Sequence, residues 1–320
     1  MNLGPAQLDR ACGVLLATAA GDALGAGYEF GPPLPADAPV TMTGGGSFDW
    51  APGEWTDDTS MALAIAETAA AGADLRTAAA QDAVTARWAA WAGQAKDVGN
   101  QTRRVLSAVR HGTAAEALAT SRDLHARTGQ TAGNGSLMRT APVALAFLGD
   151  PGALTEAAAA VSALTHYDEE AGEACVLWCH AIRHAVLTGD LDVRAGLGRL
   201  PGPGRDKWAQ RLAAAERAQP QDFPRNGWVV EALQAAWCAI ATTPVPGHDR
   251  GGHLRLALEN AVRGGRDADT VAAIAGGLLG AWHGASAVPA SWRLALHGWP
   301  GLTAPDLIAL AAAIAEKSPG

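Results

Sequence analysis

Cysteine is scarce and unpatterned in this 320-residue chain, which carries only Cys12, Cys175, Cys179 and Cys238. None forms a Cys-x-x-Cys pair, so the usual zinc and dithiol spacings and a disulfide framework are excluded. Met1–Arg10 has neither the basic nor the apolar region of a secretory signal. Together these features predict a reducing cytoplasm. No run of about 18 apolar residues survives without Gly, Asp or Glu, so no membrane span is expected. Alternating runs of Val, Ile and Thr are almost absent, which argues against a sheet protein. Charge is sparse at 18%, with 24 basic residues against 32 acidic ones and a net charge of −8. Such a chain is a poor general binder of nucleic acid or anionic membrane.

Alanine is by far the commonest residue, and alanine is the best helix former. The hydrophobic share of 48% is that of a globular chain. Leu8, Cys12, Leu15 and Leu16 recur at helical spacing, as do Met61, Leu63 and Ile65. Further helices are predicted over 75–92, 100–110, 114–120, 140–148, 153–163, 168–187, 207–217, 228–241, 253–262, 270–283 and 304–317. Cys175 and Cys179 lie four apart on one of them and read as core residues. Gly31–Gly46, Pro201–Gly204 and Pro244–Gly252 read as loops. No linker or fixed-period repeat divides the chain. The expectation is one compact all-α multi-helix domain over residues 1–320.

Two segments resemble each other. Trp55-Thr56-Asp57-Asp58-Thr59-Ser60 precedes one Ala-rich helix, and Asp267-Ala268-Asp269-Thr270 precedes another. Each sets two carboxylates and a Thr hydroxyl at a helix start. Capping explains one Asp at each place, since Asp and Thr are favoured N-caps worth about 1 kcal/mol each. Two carboxylates and a Thr at both places exceed what a cap requires. Hard divalent cations take such oxygen ligands. Four carboxylates would neutralise a pair of divalent ions about 3.5–4 Å apart. Capping and metal binding both remain open on the sequence alone.

With these segments in hand, the chain resembles the ADP-ribosyl-glycohydrolase family. Five segments carry the likeness in order: Gly21-Asp22-Ala23-Leu24-Gly25 with Tyr28-Glu29-Phe30; Trp55-Thr56-Asp57-Asp58-Thr59; Gly133-Asn134-Gly135-Ser136-Leu137-Met138-Arg139; Thr165-His166; and Asp267-Ala268-Asp269-Thr270. The resemblance implies about a dozen helices around a dinuclear metal centre at helix N-termini, holding Mg²⁺ or Mn²⁺. It implies Thr56, Asp57, Asp58, Asp267, Asp269 and Thr270 as metal ligands. Glu29, Asp58 and Asp269 are the implied catalytic carboxylates. The implied reaction is hydrolysis of the bond between C1″ of ADP-ribose and a protein side chain or small acceptor, with ADP-ribose as product. Glycosidic hydrolysis passes through an oxocarbenium-like state and needs water activation and leaving-group protonation, which metals and a carboxyl can share.

For substrate contacts, Gly133, Asn134, Gly135 and Ser136 form a Gly-rich turn whose backbone N–H groups suit a diphosphate, though Asn-Gly is also an ordinary turn. Asp97-Val98-Gly99-Asn100 is similar to a family segment near the site, which brings in Asn100. His166 matches the family's Thr-His pair, and Trp228 matches an aromatic position that packs on substrate; either is otherwise a core residue. A membrane partner is not expected, and nucleic acid is disfavoured except as a modified substrate. Three departures from the family pattern leave the ligands intact. Arg266 stands where many relatives have Gly. Ser136-Leu137 interrupts the usual Gly-Gly-Ala, and the Pro that often follows Thr-His is missing. They fall where the scissile group would enter, so Arg266 is expected to tune substrate choice if it faces the cleft, and to be a surface bystander if it faces outward. Two other readings stay open: an idle ADP-ribose-binding or structural member, and another two-metal hydrolase acting on ADP-ribose derivatives.

Overall fold

The computed structural model describes residues 2–247 and 249–318. Among them fourteen α-helices enclose one core. At its centre α1 (Pro5–Gly25) lies along α12 (Ala268–His283), and both are buried on nearly every face. A helix apolar all round is a core helix. By length and composition α1 could cross a membrane, yet 89% of its apolar window is buried inside the protein.

The closeness of these two helices is written in glycine. A Cβ at Gly21 would stand 2.1 Å from the Ala272 carbonyl oxygen, and one at Gly25 would stand 2.3 Å from Asp269 Cα. On the facing helix, a Cβ at Gly276 would meet the Ala17 oxygen at 2.1 Å and one at Gly280 the Gly13 oxygen at 2.0 Å. Gly21 and Gly25, like Gly276 and Gly280, are four apart and share a helix face. The backbones therefore touch, and α1 delivers Asp22 beside the first turn of α12.

Around this pair stand α2 (Asp57–Ala70), α6 (Ala141–Ala146), α8 (Glu169–Thr188), α10 (Val229–Thr242), α11 (Arg250–Arg263) and α14 (Ala304–Lys317). Farther out lie α3 (Ala78–Ala92), α4 (Asn100–Leu106), α5 (Ala114–Thr128), α7 (Pro151–Ala163), α9 (Gly202–Ala215) and α13 (Ala290–Ala295). Two-residue strands β1 (His297–Gly298) and β2 (Leu302–Thr303) pair in a hairpin.

The all-α expectation holds, with boundary corrections. Pro201–Gly204 is not a loop: α9 starts at Gly202 with Pro203 in its first turn, where a missing N–H costs nothing. The 114–120 helix runs on to Thr128, because its polar exposed face hides its period. The helix placed over 100–110 stops at Leu106. Helix α13, six residues long, and the two-residue strands of the hairpin are too short to show a period. Cys175 and Cys179 are fully buried, as are the other two thiols.

Candidate metal centre and active site

Capping and metal binding are separated by what the side chains do. At five helices the expected caps form: Thr77, Thr113, Asp150, Asp168 and Asp249 each accept a backbone N–H of the turn they start. At α2 and α12 the N-cap residues Thr56 and Asp267 make no such bond. The N-cap side chains are thus not spent on their own helices, and within the acidic pairs only Asp269 Oδ1 accepts a backbone N–H of its own first turn, that of Thr270 at 2.9 Å.

Helix α2 is capped from outside. Asp22 on α1 is fully buried, and its Oδ1 accepts the Thr56 N–H at 2.9 Å. Its Oδ2 accepts the Thr59 N–H at 2.9 Å and the Thr59 hydroxyl at 2.6 Å. In the sequence Asp22 stands within the Gly21–Gly25 motif with no role of its own. Its signal was a lone acid between Gly21 and Gly25 on an otherwise apolar helix.

With Asp22 doing the capping, the carboxylates of α2 and α12 are free to converge. Thr56 Oγ1 lies 3.0 Å from Asp58 Oδ2, 3.4 Å from Asp57 Oδ1 and 3.5 Å from Asp269 Oδ2. One hydroxyl proton serves only one of these acceptors. Thr270 Oγ1 approaches Asp58 Oδ2 at 3.5 Å from the other helix. Asp58 Oδ1 is buried and has no hydrogen-bond partner. An orphaned carboxylate oxygen among other carboxylates is the donor set of a hard cation.

Two overlapping groups could each hold an ion. Oxygens of Asp22, Asp58 and Asp269 lie within 4.8 Å of one another, and so do those of Glu29, Asp267 and Asp269. In the first group both oxygens of Asp22 already accept hydrogen bonds, so Asp22 places the turn and adds charge, while Asp58 Oδ1 offers an open valence and Asp269, whose Oδ1 accepts the Thr270 N–H at 2.9 Å, turns Oδ2 toward Thr56. Without a counter-ion, burial and mutual repulsion raise the proton affinity of the whole set. Asp58 and Asp269 rise well above the usual carboxylate range, burial being the larger cause and neighbouring carboxylates the next. Burial, then Asp97 and Asp22, lifts Asp57 to about 8. Burial, then Asp267 and Asp57, lifts Glu29 to about 9.

Asp267 is set by two asparagines. Asn134 Nδ2 donates to Asp267 Oδ2 at 2.7 Å and to the Asn226 carbonyl at 2.9 Å. Asn226 Oδ1 accepts the Asp267 N–H at 3.2 Å, and its Nδ2 donates to the Gly265 carbonyl at 3.0 Å. Asn134 thus orients a candidate ligand as well as lining the cleft. Asn226 received no role from the sequence, where it stood only as a turn residue before Gly227.

Glu29 hangs on a short bridge. The Phe30 N–H donates to the Arg266 carbonyl at 2.6 Å, and the Arg266 N–H donates to the Gly31 carbonyl at 2.7 Å. Arg266 makes this bridge with a φ of 60°, a left-handed conformation that suits glycine, which is why glycine is at home in its place. Its guanidinium turns back toward the Gly264 carbonyl at 3.4 Å and does not line the cleft. Of the two alternatives for Arg266, the cleft-facing one is not what the structure shows.

Above the acids opens a cleft of about 470 Å³, within the range of small-ligand sites. Glu29, Asp57, Asp267 and Thr270 border it on the acidic side, while Thr56, Asp58 and Asp269 lie buried beneath. Asn100, Gly133, Asn134, Gly135 and His166 border it on the other side. Two proposed substrate contacts are not brought to it. Ser136 is buried with its hydroxyl bonded to Ser162 Oγ at 2.9 Å. Trp228 is half-buried under the guanidinium groups of Arg225 and Arg211, 5.0 and 5.7 Å from the ring. Ser136 belongs to a turn that borders the cleft through Gly133, Asn134 and Gly135, and of the two alternatives for Trp228, substrate contact and packing, the structure shows packing.

The profile of the ADP-ribosylglycohydrolase family matches residues 3–320. The chain belongs to that family. It is therefore a hydrolase, and its acidic cluster could hold the metal on which the family depends. Among its relatives, ADP-ribosylarginine hydrolase Tri1 of Pseudomonas putida (strain GB-1) is 34% identical over 300 residues, 91% of this chain and 75% of that one. The ADP-ribosyl-[dinitrogen reductase] glycohydrolase of Rhodospirillum rubrum is 31% identical over 297 residues, 90% of each. A solved structure described as an ADP-ribosylglycohydrolase-related protein complex superposes with a TM-score of 0.72 at 31% identity, covering 98% of this glycohydrolase and 99% of that chain.

Proposed function

We propose that this glycohydrolase removes ADP-ribose from arginine side chains of modified proteins, using two divalent cations, Mg²⁺ or Mn²⁺. The observation that carries the reading is the convergence of two acidic helix starts whose own N-cap side chains make no capping bond, with the orphaned Asp58 Oδ1 among them, beneath a cleft of about 470 Å³. The arginine acceptor is supported by the Tri1 relatives, ADP-ribosylarginine hydrolases that match about nine-tenths of this chain.

Thr56, Asp57 and Asp58 would hold the ions from α2, and Asp267, Asp269 and Thr270 from α12. Bound there, the ions supply Lewis acidity and offset the carboxylate charge. Asp22 fixes the α2 turn by its three accepted hydrogen bonds. Asn134 and Asn226 fix Asp267. In the reaction the bond between C1″ and the guanidine nitrogen breaks, a water oxygen bonds to C1″, and a water proton ends on the departing nitrogen. Glu29, half-buried at the cleft edge, moves that proton as the positioned acid or base. The rim of Gly133, Gly135 and His166 receives the diphosphate.

The test is a panel of proteins defined at one ADP-ribosylated residue, arginine or serine, incubated with the purified enzyme and read by mass spectrometry. The reading predicts loss of ADP-ribose from arginine, abolished by EDTA and restored by Mg²⁺ or Mn²⁺. Release from serine alone would overturn the acceptor, and release unaffected by EDTA would overturn the metal role.

A further inference from the structure

Arg139 is fully buried, and among the described residues no carboxylate pairs with it. A buried cation without a counter-charge is costly, and a core of this size could hold an apolar residue there instead. Its neighbours are specific. The guanidinium lies over the Trp88 ring at 3.9 Å, and Nη1 reaches Met61 Sδ at 3.6 Å. Nη2 donates to Thr165 Oγ1 at 2.6 Å, and Nε has no partner. Thr165 Oγ1 in turn lies 2.7 Å from Nδ1 of His166. Among the described residues these two groups are the hydrogen-bond partners of the Thr165 hydroxyl.

The direction of this chain follows from donor inventory. A guanidinium can only donate, so Thr165 Oγ1 accepts from Arg139. The Thr165 hydroxyl proton then has one acceptor in reach, Nδ1 of His166. An Nδ1 that accepts carries no proton, and a neutral imidazole must then carry it on Nε2. Burial, with the Arg139 charge next, keeps the ring neutral. The Nε2 edge lies against the Gly-rich turn: a Cβ at Gly135 would stand 3.1 Å from Nε2 and one at Gly133 3.3 Å. The ring edge that borders the cleft is therefore the one with the proton.

We infer that Arg139 is a positioning residue that acts through Thr165 to fix His166 as the Nε2–H tautomer, so that the ring offers the cleft a hydrogen-bond donor and not an acceptor. The anchored donor suits an anionic oxygen of the substrate. Only that last step rests on the proposed function, where the oxygen is a diphosphate oxygen of ADP-ribose. Arg139 would do this without touching substrate, and a neutral donor avoids bringing a second cation to a site already built for metal ions.

Two measurements test it. In the metal-loaded wild-type enzyme without substrate, histidine ¹⁵N NMR, assigned against His166→Gln, should show protonated Nε2 and bare Nδ1 between pH 6 and 8. An Nδ1–H tautomer, or a protonated ring at pH 7, overturns the inference. In kinetics on ADP-ribosylarginine protein, Thr165→Val should raise KM about tenfold with kcat nearly unchanged, the scale of one charge-assisted hydrogen bond. Thr165→Ser, which keeps the hydroxyl, should restore KM. An unchanged KM in Thr165→Val overturns the link to substrate. Should the wild type release no ADP-ribose, the proposed function falls while the NMR result alone decides the tautomer.

Discussion

The close approach of α1 and α12 makes a sharp prediction about a single methyl group. Gly25→Ala adds a Cβ that would stand 2.3 Å from Asp269 Cα and 2.6 Å from its amide nitrogen. Carbon–carbon contacts settle at about 3.5–4.0 Å. Both obstacles are backbone, so no rotamer can yield; the first turn of α12 must move by roughly an ångström. Replacing a helical glycine by alanine otherwise gains about 0.5–1 kcal/mol. Overpacking of this kind costs about 1–3 kcal/mol or more, so the net effect is destabilising. The displaced turn carries Asp269, so metal binding should fall with stability. Gly172→Ala on α8 is the control, because nothing lies within 4 Å of its Cβ. The same chemical change there should stabilise. Urea unfolding followed by circular dichroism, with metal content by elemental analysis, reads both effects. Gly25→Ala with wild-type stability and full metal content would refute the packing argument.

Four further outcomes follow from the site. Asp58→Ala should remove at least one divalent ion and most activity while the fold persists, since Asp58 caps nothing; elemental analysis and circular dichroism check this. Glu29→Gln should keep ADP-ribose binding by calorimetry and lower kcat by about 10²–10⁴, the worth of a positioned acid or base. Metal-free protein should lose stability as pH rises from about 5 to 9. The folded values near 8 for Asp57 and near 9 for Glu29 lie above the unfolded ones, so the folded state binds more protons in that window. Added Mg²⁺ should remove or reverse this trend in thermal melts. Arg266→Gly should leave metal content and kinetics unchanged, because the bridge to Phe30 and Gly31 uses only the backbone; Arg266→Val, β-branched at a left-handed φ, should lower kcat by loosening Glu29.

How much of this was legible depended on whether the signal was local. Helix type was legible because alanine and a 3.6-residue period act within a few turns; α13 and the 297–303 hairpin, too short to show a period, were not. The two acidic helix starts were visible as a repeated oddity, but whether they capped or converged depended on Asp22, more than thirty residues upstream of them. Nothing local distinguishes an acid that caps another helix from one that ligates a metal. Asn226 was missed for the same reason: its partners Asp267 and Gly265 are some forty positions away in sequence. For Ser136 the Gly-rich turn, and for Trp228 the match to a family aromatic position, point to the cleft, yet one residue of turn or helical rotation sends a side chain to the opposite face. For Arg266, standing where relatives carry Gly and directly before Asp267, the sequence leaves a cleft-facing and an outward side chain both open, because its left-handed φ and its backbone bridge to Phe30 and Gly31 are formed with a segment some 235 residues away.

The most direct measurement of the central claim is a crystal structure of the enzyme grown with Mn²⁺, with anomalous difference density collected at the manganese edge. The account predicts two peaks about 3.5–4 Å apart between the first turns of α2 and α12, one of them on Asp58 Oδ1. Density that leaves Asp58 and Asp269 without an ion, or that lies elsewhere in the protein, would contradict it.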